Sequence, residues 1–315
     1  MLKIAPEYSG TVVYVKDASQ NAYIATALIN GDADFVKKIK QHQQDVREAN
    51  NAKQVVQAAV TATETNNNTP LIDWNNEIID QPNSIELQHF SNIDINLLTP
   101  YINWKMLLIA WKVSGDFSGI EEVDNTDDGE KWLSGYEGPL KQKAEEAVRI
   151  IIDAKRILRN MVEQHLTTVN AVVQIVPAAS MPDDTVALFS DEQHTTEIAQ
   201  IRFRRQKKAD ENGHRLSLTD YVAPQQYHDH IGMFVGTAGI GLKQHTDQLM
   251  ADGNDYEAIM MKLLADRLVE ALSEWLHQKV RTEIWGYDPT ENQTPLQLIR
   301  GNYRGVRPEI GRAHV

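Results

Sequence analysis

The segment Asn254–Pro308 decides the fold of this chain and reads NDYEAIMMKLLADRLVEALSEWLHQKVRTEIWGYDPTENQTPLQLIRGNYRGVRP. Its apolar residues recur at the spacing of one helical face: Leu263, Leu264, Leu268, Ala271, Leu272, Trp275 and Leu276. Asp252 or Asn254 can cap the start of this helix, and Gly286 ends it shortly after Trp285. The pattern predicts a long amphipathic helix followed by a loop that contains glycine, proline and arginine.

Two acidic residues of this helix, Asp266 and Glu270, are four positions apart and share a face. Like charges at this spacing cost roughly a few tenths of a kcal/mol, and Arg267 relieves part of the repulsion. The following loop places Arg304 and Arg307 beside glycine and proline, where a guanidinium can donate to a carboxylate or phosphate. The helix alone is explained by a solvated acidic face. Together, helix and loop could hold a small zwitterion at both ends.

The composition is that of a globular protein. Charged residues make up 24% and hydrophobic residues 42% of the 315 residues, which allows a sizeable core. The net charge of −13 argues against a nucleic-acid backbone as partner. Cysteine is absent, which excludes disulfides and thiolate metal sites. We find neither a signal-peptide core nor an apolar run of membrane-spanning length, so we expect no membrane partner and a cytoplasmic location.

Patterns along the chain predict an α+β fold, with long helices flanking a mainly antiparallel twisted sheet. The second strong helix is predicted over Pro139–Leu166. Strands are predicted over Ala171–Val176, Thr185–Phe189 and Ile231–Thr237. The glycine-rich GTAGIG, Gly236–Gly241, lacks the spacing of a phosphate loop and is interpreted as a turn with close backbone approach.

The N-terminal part is organised differently. Thr11–Val15 has the pattern of a short strand, and a helix follows from Asp17 or Ser19 to about Leu28. A polar helical segment and a linker, Thr61–Pro70, come next. We therefore divide the chain into residues 1–30, 31–70, 71–308 and 309–315.

Ordered motifs along nearly the whole chain show a family resemblance. They are YSGTVVYVKDAS, YINWKMLLIAWKVSG, VPAASMPDDTVALFSDE, LSLTDYVAP, HIGMFVGTAGIG, LADRLVEALSEWLH, IWGY and NYRGVRP. From Tyr101 onward they resemble the C-terminal activation domain of cobalamin-dependent methionine synthase, which binds S-adenosylmethionine. His230 stands where that family usually has tyrosine. The first motif, Tyr8–Ser19, resembles the last strand and turn of the preceding cobalamin domain.

The resemblance implies a fold and four site residues. The fold is that of the activation domain, preceded by a βα remnant of a Rossmann-like cobalamin-binding domain. Arg307 matches the arginine for the carboxylate of the ligand's methionine part, and Glu270 matches an acidic helix position that faces the same site. Asn103 occupies the place of an aspartate that contacts S-adenosylmethionine. Ala18 matches a residue that lines the cobalamin.

This sequence departs from the family pattern at three places. Asn103 keeps a hydrogen-bond acceptor but loses the charge that favours a cationic ligand. Gly301 replaces a residue that is usually acidic. The family's glycine and tyrosine after Pro308 are missing, because the chain continues as EIGRAHV, Glu309–Val315. One codon reading of these seven residues reproduces a common sequencing adapter, so we interpret 309–315 as an artefact; a genuine short tail is the alternative.

The function implied by the resemblance is that of a methyltransferase fragment. In methionine synthase, which makes methionine from homocysteine and methyltetrahydrofolate, this module uses S-adenosylmethionine to remethylate oxidised cobalamin. The implied cofactors are S-adenosylmethionine and cobalamin. The implied partners are the cobalamin-binding domain of the same enzyme and a flavodoxin-type electron donor. The cobalamin-ligating motif, the homocysteine zinc site and the folate barrel lie outside this chain, so it is not catalytically complete alone.

Other chemistry is weakly indicated. No Ser/His/Asp or Cys/His arrangement predicts a catalytic nucleophile. His228 and His230 could chelate a metal from one side of a strand, but no third ligand is evident and we predict no metal site. A second function stays open: a non-catalytic interaction module that caps cobalamin or docks a redox partner. In that case Asn103 and Gly301 mark a degraded ligand site.

Overall fold

The computed structural model describes residues 11–13, 21–63, 71–113 and 115–305. The chain divides into two compact units, Met1–Thr69 and Pro70–Val315. Of the predicted site residues, Asn103 and Glu270 lie within the described part, whereas Ala18 and Arg307 lie outside it. Among the described helices, none combines the length and the apolar character needed to cross a membrane.

The first unit contains two helices, α1 (Asn21–Ile29) and α2 (Ala33–Thr63). Asp32 begins α2, because its Oδ1 accepts a hydrogen bond of 2.9 Å from the backbone N–H of Phe35. Both helices agree with the sequence prediction, although α2 extends three residues into the predicted linker. Thr11–Val13, the described part of the predicted first strand, is not in a strand. The rest of that strand and both predicted capping residues, Asp17 and Ser19, lie outside the described residues.

The second unit is built on a five-stranded sheet in which every pairing is antiparallel. Its strands are β1 (Gln88–Phe90), β2 (Thr168–Ser180), β3 (Thr185–Phe189), β4 (Glu197–Arg202) and β5 (Asp229–Ile240). The long strand β2 pairs with β1, β3 and β5, and β4 pairs with β3. The predicted α+β class with an antiparallel sheet is therefore confirmed. The sequence prediction missed the two short strands β1 and β4.

Seven α-helices belong to the described part of the second unit. They are α3 (Ile95–Leu98), α4 (Trp104–Ala110), α5 (Thr126–Leu133), α6 (Gly138–Glu163), α7 (Leu242–Ala251), α8 (Asp255–Lys279) and α9 (Pro295–Ile299). The main core forms where apolar faces of α3, α4, α6 and α8 pack together with β2. Asn254 caps α8 through its side-chain oxygen, which confirms one of the two predicted caps. After α8 the chain makes a π-helical turn, Val280–Ile284, before Gly286.

The glycine-rich segment after His230 is a strand, so its interpretation as a turn is wrong for most of its length. Strand β5 continues through Gly236 to Ile240, and the backbone turns only at Gly241, where φ is +92°. The expected close approach is present: a Cβ at Gly236 would lie 2.7 Å from Cδ2 of Leu272. Helix α8 therefore packs directly on the backbone of β5 at this position.

Candidate functional site

A cavity of about 950 Å³ lies at the start of α4, and we call it the Asn103 cavity. Its walls come from the turn before α4, from the second half of α6, from the loop around Ser118 and from α9. The lining residues used below are Asn103, Trp104, Lys105, Glu121, Asp124, Lys155, Arg159, Glu163 and Arg300. This volume lies within the range that small-molecule sites in proteins occupy.

Asn103 is the N-cap of α4. Its backbone is non-helical, with φ −81° and ψ 88°, and its Oδ1 accepts a hydrogen bond of 3.3 Å from the N–H of Met106. Asparagine and aspartate are about equally good at this position, because both offer an oxygen to the free N–H groups of the first turn. The helix cap therefore tolerates the exchange of aspartate for asparagine, and what changes is the charge at the cavity wall.

Lys155 is held against the aromatic wall of the cavity. Its side chain is 11% exposed, and its Nζ donates to Asp124 Oδ1 at 2.5 Å and to the carbonyl oxygen of Glu121 at 2.7 Å. The same Nζ lies 5.4 Å from the ring centroid of Trp104, within cation–π range. Trp104 itself is buried, with 5% exposure, so this corner of the cavity is fixed by packing and by charge.

The cavity wall carries charges of both signs. The cationic side chains are Lys105, Lys155, Arg159 and Arg300, and the anionic ones are Glu121, Asp124 and Glu163. Such a mixture suits a ligand that is itself zwitterionic, because each end can find an opposite charge. Sequence analysis missed Lys155 and Arg159. Lys155 had a signal in the sequence: it interrupts the apolar stripe of α6, four residues after Ile151 and three before Leu158.

Glu270 lies on α8 but does not line the Asn103 cavity. Its Oε2 forms an ion pair of 2.7 Å with Nη1 of Arg267, which is 8% exposed. By pairing with Glu270, Arg267 relieves part of the repulsion between the two acidic residues of this helix, as the sequence suggested. The structure thus leaves the predicted ligand contact of Glu270 as a prediction, and the same holds for Arg307 and Ala18, which lie outside the described residues.

The arginine-bearing loop is described as far as Gly305. Arg304 is fixed within the protein: its Nη1 donates to the carbonyl oxygen of Tyr287 at 2.6 Å, and its Nη2 contacts Asp80 Oδ2 at 2.5 Å. Burial raises the pKa of Tyr287 to about 12. Of the two arginines predicted to offer donors to a ligand, Arg304 is thus already engaged, and Arg307 is the remaining candidate.

A second cavity, of about 470 Å³, lies near the loop and has largely aromatic and aliphatic walls. Trp285, Tyr287, Phe234 and His230 are among its lining residues. His230, which replaces the family's usual tyrosine, has a fully buried side chain whose Nε2 lies 2.9 Å from Glu192 Oε2. The two cavities have no lining residue in common, so they are separate features of the second unit.

Three histidines come together at the start of β5. The ring of His194 lies 5.0 Å from that of His228, and it stacks on Phe189 at 4.6 Å. Burial lowers the pKa of His194, and the neighbouring His228 and His230 lower it further. No group of three histidine, aspartate or glutamate side chains has a geometry that could hold a metal ion in the described part of the chain.

Comparison with known proteins is consistent with the motifs and the fold. Residues 94–314 match the profile of the family described as "Vitamin B12 dependent methionine synthase, activation domain". Among solved structures, the chain is similar to one described as "Crystal Structure of the MetH Reactivation Domain bound to AdoHcy". The sequence identity is 30% and the TM-score 0.64, and the match covers 75% of this chain and 68% of the other. This chain therefore belongs to the family of the activation domain of vitamin B12-dependent methionine synthase.

Proposed function

We propose that this chain binds S-adenosylmethionine in the Asn103 cavity and serves as the activation module of a cobalamin-dependent methionine synthase. In that role it positions the methyl group for reductive remethylation of cobalamin, which keeps methionine synthesis running. The observation that carries the proposal is the cavity itself: Asn103 caps α4 at a wall that combines Trp104 with charges of both signs. The solved MetH reactivation domain, which is bound to AdoHcy, supports the same ligand class.

The residues of the cavity fit the parts of S-adenosylmethionine. The nucleotide has a flat adenine, a sulfonium cation, and an amino-acid end with a carboxylate and an ammonium group. The adenine can lie against the apolar part of the wall, to which Trp104, 5% exposed and with Lys155 over its ring, contributes little. Arg159 and Arg300 can donate to a carboxylate, and Glu163 can accept from an ammonium group. Arg307, by the family resemblance, supplies a further donor to the carboxylate.

The chemistry requires positioning more than acid–base catalysis. Bound S-adenosylmethionine supplies a methyl group that its sulfonium sulfur already makes electrophilic. The protein has to hold this group in one orientation and to limit the access of water, which the fixed Lys155–Trp104 corner can do. Since Asn103 lacks the negative charge of the family's aspartate, we expect weak but saturable binding.

Cobalamin, the partners and the location remain part of the proposal. Ala18, the residue that the resemblance places beside cobalamin, lies outside the described residues, so cobalamin enters only as the acceptor of the methyl group. We propose the cobalamin-binding domain of the same enzyme and a flavodoxin-type electron donor as partners. We also propose that the protein works in the cytoplasm.

The alternative is a non-catalytic interaction module with a degraded ligand site. Asn103 and Gly301 favour it, because both replace acidic residues of the family pattern. The structure gives Gly301 another explanation: it follows α9 with φ +81°, and its N–H donates to the carbonyl oxygen of Leu298 at 2.8 Å. Glycine adopts this left-handed conformation without strain. Only Asn103 therefore points specifically toward a loss of ligand binding.

Equilibrium dialysis with labelled S-adenosylmethionine tests the proposal. We expect saturable binding that Arg307→Ala abolishes, because the family resemblance assigns the main contact with the carboxylate to Arg307. Arg204→Ala is the matched control, since it removes an exposed arginine after β4 that lines neither cavity. Binding that is indifferent to Arg307→Ala would contradict the assigned site. Absence of saturable binding by the unaltered protein would favour the interaction module.

A further inference from the structure

The turn that ends α8 is wider than an α-helix and buries an arginine. Over Val280–Ile284 the helix becomes a π-helix, and the backbone N–H groups of Trp285 and Gly286 both donate to the carbonyl oxygen of Val280, at 2.8 and 3.1 Å. Arg281 lies in this turn with no solvent exposure. Single π-helical turns are rare and are frequent at functional sites. The turn therefore requires an explanation beyond helix termination.

Arg281 fastens the segment that follows the turn. Its Nε contacts Glu291 Oε2 at 2.5 Å and its Nη2 contacts Oε1 at 2.9 Å, so the pair is bidentate. Neither side chain is exposed. The carbonyl oxygen of Arg281 also accepts a hydrogen bond of 2.9 Å from the N–H of Asp288. Main chain and side chain of one residue thus fix both Asp288 and Glu291.

The face of the Arg281 guanidinium contacts the loop Gly301–Gly305 through Tyr303. The ring centroid of Tyr303 lies 4.2 Å from Arg281 Cζ, within cation–π range. Tyr303 also packs edge-on against His277 of α8, with ring centroids 5.0 Å apart. The next residue, Arg304, is tied to Tyr287 and Asp80. The loop Gly301–Gly305, which directly follows Arg300 of the Asn103 cavity wall, therefore packs on the plane of Arg281 through Tyr303.

Stability alone does not explain the buried ion pair between Arg281 and Glu291. Taking two charges out of water is costly, and apolar side chains of similar volume often stabilise a core as well or better. Nη1 of Arg281 is also buried without a hydrogen-bond partner in the described part of the protein. A planar guanidinium does offer what an apolar side chain lacks: a bidentate edge and a flat face with fixed relative orientation. It can hold two loops in a single arrangement.

We propose that Arg281 is a positioning residue: its ion pair with Glu291 and its contact with Tyr303 hold the loop Gly301–Gly305 in one arrangement, and this fixes Arg300, the residue before the loop, in the wall of the Asn103 cavity. The inference rests on the proposed function, because Arg300 is one of the arginines assigned there to the carboxylate of S-adenosylmethionine. Arg281 itself touches no ligand. If replacement of Arg281 lowers the fraction of molecules in which the loop Gly301–Gly305 keeps its arrangement, the apparent affinity falls in proportion to that fraction.

Two readouts and two pairs of variants test this inference. Arg281→Lys keeps the charge but loses the bidentate edge, and Arg205→Lys is its matched control, at a bidentate ion-pair site on Asp184 and Asp220. Tyr303→Leu removes the ring and leaves the buried ion pair intact, so the inference stays testable even where Arg281→Lys fails to fold. Tyr303→Phe keeps the ring. Amide hydrogen exchange of Gly301–Gly305 reports the loop, and equilibrium dialysis with S-adenosylmethionine reports binding.

We expect Arg281→Lys and Tyr303→Leu to weaken binding about tenfold, in parallel with lost protection of the loop. The exchange of α8 and β2 should stay as in the unaltered protein. Tyr303→Phe and Arg205→Lys should keep both the affinity and the loop protection. Unchanged loop protection in Tyr303→Leu and Arg281→Lys overturns the inference, and so does equal weakening by Arg205→Lys. If the loop loosens as expected while the unaltered protein binds no S-adenosylmethionine, the proposed function fails and the positioning role stands.

Discussion

The side-chain oxygen of Asn103 accepts a hydrogen bond from the backbone N–H of Met106, and this contact joins a helix cap to the wall of the Asn103 cavity. A residue in this position has two independent roles. One is to satisfy a free N–H group of the first helical turn, and the other is to set the charge that a ligand meets. Substitution can change the second without disturbing the first.

Asn103→Asp should raise the affinity for S-adenosylmethionine about fivefold. The reason is that a carboxylate interacts with the cationic ligand more strongly than an amide does, by about 1 kcal/mol. The helix should remain capped, so the free energy of unfolding should hardly change. Equilibrium dialysis and urea unfolding measure the two effects. Asn125→Asp is the matched control, since Asn125 caps α5 in the same way but lines neither cavity. A similar gain from Asn125→Asp would show that overall charge, rather than the site, is responsible.

Gly236→Ala should destabilise the protein by about 1–3 kcal/mol, because the added methyl group overpacks the contact between β5 and α8. Its Cβ would lie 2.7 Å from Cδ2 of Leu272. Gly239→Ala is the control in the same strand, where the added carbon meets nothing within 4 Å. Urea unfolding of both variants gives the comparison. Equal stability of the two would contradict the close packing of α8 on this strand.

His194 should make the fold sensitive to acid. Burial, followed by the nearby His228 and His230, lowers its pKa in the folded state, so the unfolded chain binds the proton more readily. The stabilising contribution of neutral His194 is therefore complete above its unfolded pKa of about 6.5 and is lost as the pH falls through the lower folded pKa.

The slope of the unfolding free energy from this residue is at most about 1.4 kcal/mol per pH unit. Urea unfolding between pH 7 and 5 should show a shallower dependence in His194→Phe than in the unaltered protein. His89→Gln, which changes an exposed histidine of β1, is the control variant. A profile for His194→Phe that is as steep as that of the unaltered protein would contradict the assignment.

Tyr287 should resist ionisation well beyond the range of an exposed tyrosine. Its pKa is raised to about 12, chiefly by burial, while Arg281 and Arg304 act in the opposite direction. The difference in phenolate absorbance between the unaltered protein and Tyr287→Phe should appear near pH 12. In urea the same difference should appear near pH 10, as for a solvated phenol. Since the folded pKa is the higher one, the stabilisation by this residue is lost as the pH rises from about 10 toward 12.

Much of the fold could be predicted from the sequence because long periodic segments bury one face wherever they pack. The predicted helix over Pro139–Leu166 is α6, which spans Gly138–Glu163, and the strand Thr185–Phe189 was placed to the residue. The strands β1 and β4 were missed because β1 has only three residues and β4 is almost entirely exposed, so neither shows the apolar run of the buried strand β3. Ion pairs between distant residues could not be predicted: Arg205, which follows β4, contacts both Asp184 and Asp220.

The candidate site was predictable only where a residue keeps a family position. Asn103 was chosen from its motif, and the structure shows it in the wall of a cavity. Lys155 and Arg300 are distant from it in sequence, so only folding could reveal that they share that wall. The sequence predicted that the long helix ends at Gly286, but it did not indicate the π-helical turn Val280–Ile284, because local helix signals do not encode such a turn.

The sequence by itself determined the fold class, the family and the cap of α8, because these follow from periodicity, from ordered motifs and from short-range hydrogen bonding. Only the tertiary structure decided which charges meet. Arg281 and Glu291 are ten residues apart and fully buried against each other, and Tyr303 reaches the same guanidinium from a later loop. The physical reason is that a buried charge must find its partner in three dimensions, and no local pattern states which partner that will be.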